Sequence, residues 1–318
     1  MRQGDGEPVR ALHLRHQLLA NVIRPAYSLE ATPERGVDLR IVGPSRSGRY
    51  PAEVQIRLRR PAPMDDVWDR YVEPVDVLIQ VCAGRPGGWS GVDVTPLRAT
   101  IGEAPLHRSV AQPGARRPPT RWRRPFLRLD ALGGDFPDVL ERWLDLYERY
   151  RIPIDELLAG WAEPKPDQRA RRLAVAVEGL SELAADHLDA PMSDDEWAEL
   201  RRILHREGLG NDLVVKIEQA IFRPTFADQL NAVVAHLGGD RIPEVARLAD
   251  EIGRVKKVRN SFSHAEAHQH RPGEHDAVTA AAVAESFALA LLARQLVTDA
   301  VQADALVVRA IRGPGSSG

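Results

Sequence analysis

An arginine occupies a position where the spacing of apolar residues predicts a hydrophobic side chain. Between residues 243 and 262, apolar side chains recur at alternating intervals of three and four, the spacing of one face of an α-helix. Arg259 stands in this series, and because its guanidinium stays charged it must contact water, an anion or a carboxylate. Asn260 follows it, and His264 lies four residues beyond Asn260, on the same face if the helix continues that far.

This stretch combines the groups that cleavage of a phosphodiester requires. Histidine titrates near neutrality and can act as a general acid or base, and arginine can bind phosphoryl oxygens through two hydrogen bonds. Lys256, Lys257 and Ser263 add two cations and a hydroxyl. An RNA 2′-hydroxyl is already held beside the phosphorus, so that its attack needs no metal ion. Because one histidine serves one proton transfer at a time, a second copy of the chain would complete the pair.

The same residues also fit a purely structural role. In that interpretation Arg259 pairs with a buried carboxylate, and His264 ends the helix. Glu285, which interrupts the apolar stripe of the last long helical segment, and Glu178, whose helical neighbours are small, are the two candidate partners. A buried arginine–glutamate pair contributes little net stability. Spacing alone therefore leaves both interpretations open.

The residues from Arg259 to His264 resemble the R-x4-6-H motif of HEPN domains, in its R-N-x-x-x-H form. Segment 173–180, which contains Glu178, and segment 226–234 resemble the helices that accompany this motif. Together with residues 143–161, they make the chain similar to the ApeA-like branch of HEPN proteins, found in bacterial anti-phage systems. The resemblance covers residues 136–312 well and residues 37–135 loosely.

The resemblance implies an all-α bundle that dimerises with both motifs at the interface and acts as a metal-independent endoribonuclease in abortive infection. It implies that Arg259 binds the phosphate, His264 is the acid or base, Asn260 positions the substrate, and Glu178 orients Arg259 or His264. The residues expected to help bind the substrate are Lys256, Lys257 and Ser263.

The implied partners are RNA, a second copy of the chain and a phage-derived trigger or regulatory partner, with no membrane, cofactor or metal. The alternative is a catalytically silent HEPN-type module that binds RNA or protein. Histidines 268, 270 and 275 follow the motif without the spacing of a zinc-binding helix, which favours a polar loop over a metal site.

The rest of the sequence predicts an α+β protein whose smaller β-rich part precedes a helical bundle. Strand-like runs separated by proline, glycine and serine clusters occur at 37–42, 53–58, 75–81 and 92–97. We expect a β-rich domain over 1–135, with an Arg- and Pro-rich linker near 112–125 that is either solvated or able to bind a single strand. The helical period dominates over 136–312, with helices expected to begin near residues 136, 167, 193, 225, 243 and 276. Residues 313–318 are expected to be a flexible tail.

Composition excludes several other classes of protein. The 318 residues carry a net charge of −2, so no global field attracts nucleic acid or a membrane. The single cysteine, Cys82, rules out an intramolecular disulfide framework and suggests the cytoplasm. Glu285 and Arg294 interrupt the most apolar segment, 278–297, which argues against a membrane span. The glycine-rich fingerprints of ATP and NAD sites do not occur.

Overall fold

The N-terminal part is an antiparallel sheet. The computed structural model describes residues 8–33, 36–47, 51–96, 106–108, 125–132, 135–188, 192–222, 224–263 and 273–313. Within them the strands are β1 (Pro8–His16), β2 (Ser28–Ala31), β3 (Val37–Val42), β4 (Glu53–Pro63), β5 (Trp89–Pro96) and β6 (Leu106–Arg108). Their order is β2-β3-β4-β1-β5-β6, with every pair of neighbours antiparallel.

Helices make up most of the remainder. Three belong to the N-terminal part: α1 (Leu19–Val22), α2 (Met64–Val67) and α3 (Glu73–Ala83). The C-terminal helices are α4 (Phe136–Ala162), α5 (Pro166–Leu180), α6 (Asp194–Arg206), α7 (Asn211–Phe222), α8 (Phe226–His236), α9 (Pro243–Ala249), α10 (Ile252–Ser263), α11 (Glu274–Leu296) and α12 (Ala300–Arg312). A π-helical turn, Trp68–Val72, joins α2 to α3, and a 3₁₀ segment, Ser181–His187, extends α5. The α+β class is thereby confirmed.

The prediction of a strand over 75–81 is wrong, because these residues lie in α3. Asp76 and Gln80 are one helical turn apart, and the Gln80 amide donates to the Asp76 carboxylate at 2.9 Å. The other oxygen of Asp76 lies 2.8 Å from Nε2 of His16 at the end of β1. Nearly every side chain of α3 is buried, and residues 75–81 form a short, mostly apolar run rich in valine, a composition that a buried strand and a buried helix share.

The sheet region and the helical region share one hydrophobic core. Trp143 of α4 is fully buried, and its indole N–H donates to the carbonyl of Pro74 in α3 at 2.7 Å. Arg151 of α4 pairs with Glu73 at 2.6 Å beside it. The division into domains at residue 135 stays a prediction. The linker around Trp122 lies outside the described residues, as does the tail beyond residue 313.

The six predicted helix starts each lie within two residues of an observed start, and one predicted helix is broken. Ser193 caps α6 through the backbone N–H of Glu196, forming a capping box, and Thr225 caps α8 in the same way. The helix expected over 243–260 is instead α9 and α10, interrupted after Ala249. The last segment is two helices, α11 and α12.

Helix α11 runs through the middle of the helical part, packing against α4, α5, α10 and α12. It is the one helix of the described residues that is long and apolar enough to cross a membrane. Its most apolar window is 78% buried within the protein, and the core helix of a soluble protein passes the same length and composition test. Glu285 and Arg294 both lie on this helix.

A histidine at the end of α8 makes stability sensitive to acid. The rings of His236 and His187 meet edge to face, with centroids 5.2 Å apart. Burial lowers the pKa of His236, as do the charges of His187 and Arg294, against a smaller opposite effect of Asp186. The folded state therefore disfavours the protonated form, so that stability declines as the pH falls through the ordinary histidine pKa of about 6.5.

We expect His236→Gln to flatten this decline between about pH 7.5 and pH 5, as measured by urea unfolding. His205, which is exposed on α6, provides the matched control, and His205→Gln should leave the pH profile of the native protein unchanged. An equally steep profile in His236→Gln would show that other groups cause the acid sensitivity.

Candidate functional site

Arg259 lies near the end of α10, at the edge between its buried and exposed faces. Val255 and Val258 are fully buried and fix α10 against α5, α8 and α11. Lys256 and Lys257 point outward on the opposite side. The guanidinium of Arg259 is 32% exposed, so that it is held by protein and still reached by solvent.

Glu178 of α5 holds this guanidinium through two hydrogen bonds. Nη2 of Arg259 donates to Oε1 at 2.7 Å and Nε donates to Oε2 at 3.2 Å, the side-by-side geometry that suits a guanidinium and a carboxylate. Ala174 and Ser181, the small neighbours noted in the sequence on the face of Glu178, are buried. Small side chains on this face of α5 favour the close approach of α10.

The first residue of α8 also contacts the guanidinium of Arg259. The ring centroid of Phe226, the first residue of α8, is 5.6 Å from the guanidinium carbon, within cation–π range. Asp228 lies two residues further along, and hydrogen bonds from the Thr225 hydroxyl and backbone lower its pKa, with a smaller contribution from the charge of Lys256. The sequence marked this helix only as a companion of the motif and did not identify Phe226 as a contact.

The other residues of the motif are placed only in part. The side-chain oxygen of Asn260 lies 3.5 Å from Nη1 of Arg259. Lys257 forms an exposed ion pair with Asp276 of α11 at 3.5 Å. Ser263 is the last residue of α10, but its side chain lies outside the described part, and so does His264.

Of the two carboxylates proposed as partners for Arg259, Glu178 is the one that forms the bidentate pair. Glu285 is 1% exposed on α11 and accepts a hydrogen bond from Arg169 of α5 at 3.2 Å. This pair provides the buried carboxylate with a cation from the neighbouring helix. The sequence did not identify Arg169, since nothing in its local spacing distinguishes it from the other arginines of α5.

The arrangement can orient a cation toward a bound anion. Glu178 balances the charge of Arg259 and fixes its plane, while Lys256 and Lys257 add positive charge on the neighbouring turn. Among the described residues, no group of three histidine, cysteine or carboxylate side chains is placed to hold a metal ion.

The fold and the site define an α+β protein with an antiparallel N-terminal sheet and a helical region that carries a bidentate arginine–glutamate pair. No protein-family model, no curated protein and no solved structure matches this chain.

Proposed function

We propose that the protein is a metal-independent endoribonuclease of the HEPN type that acts as a homodimer. The observation that carries this proposal is the bidentate pair of Glu178 with Arg259, which fixes a partly exposed guanidinium five residues before His264. A purely structural ion pair does not need a histidine and two lysines close to it in the sequence. The all-helical region from α4 to α12 supports the HEPN assignment without distinguishing it from other bundles.

The proposed reaction is attack of an RNA 2′-hydroxyl on the adjacent phosphorus. The hydroxyl loses its proton to a general base as the new P–O bond forms, and the P–O5′ bond breaks as the leaving oxygen gains a proton from a general acid. The products are a 2′,3′-cyclic phosphate and a 5′-hydroxyl. His264 performs one of these transfers and His264 of the partner subunit performs the other, while Arg259 stabilises the charge on the phosphoryl oxygens.

The remaining residues of the site have supporting roles in this proposal. Glu178 is a positioning residue that acts through Arg259, Asn260 orients the substrate or the guanidinium, and Lys256 and Lys257 attract the RNA backbone. We propose that the enzyme acts in anti-phage defence in the cytoplasm, where the N-terminal part responds to a phage-derived trigger or a regulatory partner.

A catalytically silent module that binds RNA or protein is the second candidate. It is favoured by one observation, that Glu178 already neutralises Arg259 and so weakens its attraction for a phosphate. Such a module would bind RNA without cutting it.

His264→Ala tests the proposal, with RNA cleavage measured in EDTA. We expect the native protein to cut RNA without added metal and to leave a 2′,3′-cyclic phosphate, and His264→Ala to be about 10²-fold slower or worse. His275→Ala, an exposed histidine at the start of α11, serves as the control and should cut at the native rate. Binding of RNA without cleavage would favour the silent module. Cleavage by His264→Ala at the native rate would show that the motif is not part of the active site.

A further inference from the structure

Strand β4 contains a large bulge opposite β1. Leu14 of β1 pairs with Val54 of β4, and the pairing continues residue by residue to Ala11 and Arg57. It resumes where Val9 pairs with Ala62. Between the last two pairs β1 has a single residue, whereas β4 has four, residues 58–61. A bulge re-aims side chains out of the ladder, and bulges are common beside functional sites.

The π-helical turn Trp68–Val72 follows this bulge within ten residues. Such turns are rare and occur frequently at functional sites. Arg70 and Tyr71 lie on it. The turn continues directly into α3. The first two residues of α3, Glu73 and Pro74, bind α4 through an ion pair and a hydrogen bond, respectively.

The bulge and the π-helical turn line the same cleft. It has a volume of about 470 Å³, and its lining combines apolar side chains, among them Leu58 and Val67, with charged ones. Arg59 and Arg60 come from the bulge and Arg70 from the turn, against one lining carboxylate, Asp66.

The described residues do not balance the positive charge of this cleft. Arg59 lies 3.4 Å from Asp38, but the described part of the chain offers no hydrogen bond or ion pair to Arg60 or Arg70. Arg70 and Tyr71 also line a second cleft on the other side of the π-helical turn, together with Asp69, Glu148 and Arg151. Beside the bulge, the three arginines outnumber the two carboxylates, which are Asp66 and the Asp38 that pairs with Arg59.

We propose that this cleft, which we call the β4 cleft, binds the phosphoryl group of a nucleotide-sized ligand. Two guanidinium groups from separate elements can each donate in parallel to phosphoryl oxygens. The volume lies within the range of small-molecule sites, and the apolar side chains of the lining can contact the rest of the ligand. This site is separate from the Arg259 pair, and its existence does not depend on the ribonuclease proposal.

Calorimetric titration of the full-length protein at low salt tests this site, with ADP and pyrophosphate as probes. We expect saturable binding that weakens about tenfold or more in Arg60→Gln and in Arg70→Gln, since each removes charge-assisted hydrogen bonds. Arg57→Gln is the matched control, because Arg57 is an exposed arginine of β4 before the bulge and does not line the cleft. It should bind like the native protein.

The phosphoryl group could belong to a small nucleotide or to the end of a nucleic acid. Two short deoxyoligonucleotides, one with a 5′-phosphate and one without, distinguish these sources. A small nucleotide as the natural ligand predicts stronger binding of ADP than of either oligonucleotide, and a nucleic-acid end predicts preference for the 5′-phosphorylated strand. Absence of saturable binding by every probe, or equal weakening in Arg57→Gln, would overturn the proposal. Equal binding of the two oligonucleotides that is lost in Arg60→Gln would also overturn it, since the site would then recognise a nucleic-acid backbone.

Discussion

Arg259→Ala should lower the rate of RNA cleavage by about 10³-fold or more, the largest effect that we expect from a single substitution. The guanidinium is the cation of the motif that Glu178 fixes in place, and preorganised charge that meets the developing charge of a transition state is the largest single contribution in many enzymes. Arg259→Lys keeps the charge but cannot reproduce two parallel hydrogen bonds, so it should recover only part of the rate.

Glu178→Gln separates the positioning of Arg259 from its charge. We expect kcat to fall about tenfold, with little change in KM, because the arginine remains but loses its fixed plane. Arg254→Ala is the matched control. Arg254 lies on α10, the helix of Arg259, but outside the motif and in an exposed ion pair with Glu251. Its rate should equal that of the native protein.

The folded state of each variant has to be checked, because Glu178 and Arg259 are both only about one-third exposed. Removing one partner should cost about 1–3 kcal/mol of stability. The double variant Glu178→Gln/Arg259→Gln restores a neutral hydrogen-bonded pair and should fold well while remaining inactive. Cleavage at the native rate by this folded double variant would show that the pair is structural.

Arg169→Met should destabilise the protein by about 3–5 kcal/mol, the largest stability effect that we expect. It would leave the carboxylate of Glu285 on the central helix without its cation from α5. The free energy of unfolding is measured by urea titration, followed by the circular dichroism of the helices.

The double variant Arg169→Met/Glu285→Leu should recover most of this loss, because an apolar pair of similar volume replaces a buried ion pair at little or no cost. It should also leave RNA cleavage unchanged, since neither residue contacts Arg259 in the bidentate pair. Native stability in Arg169→Met alone would contradict the prediction and show that Glu285 does not depend on Arg169.

Local sequence determined the helix starts and several strands. Ser193 and Thr225 satisfy the free N–H groups of the first turn with their own hydroxyls, so that a few residues are enough to set the boundary. The alternating pattern over 37–42 correctly predicted β3, because the side chains of a half-buried strand alternate between its two faces within a single short segment. Residues 75–81 were misassigned because a short, mostly apolar run rich in valine fits a buried strand as well as a buried helix such as α3.

The sequence by itself also identified Arg259 as an exception, since a permanent cation in an apolar series must find a counter-charge. What only the tertiary structure decided is which carboxylate provides it. Glu178 and Glu285 both fitted the pattern, and the pairing depends on how α5, α10 and α11 pack. Glu178 and Arg259 are 81 residues apart, and contacts between distant helices depend on the shapes of whole packed faces, which no local spacing records.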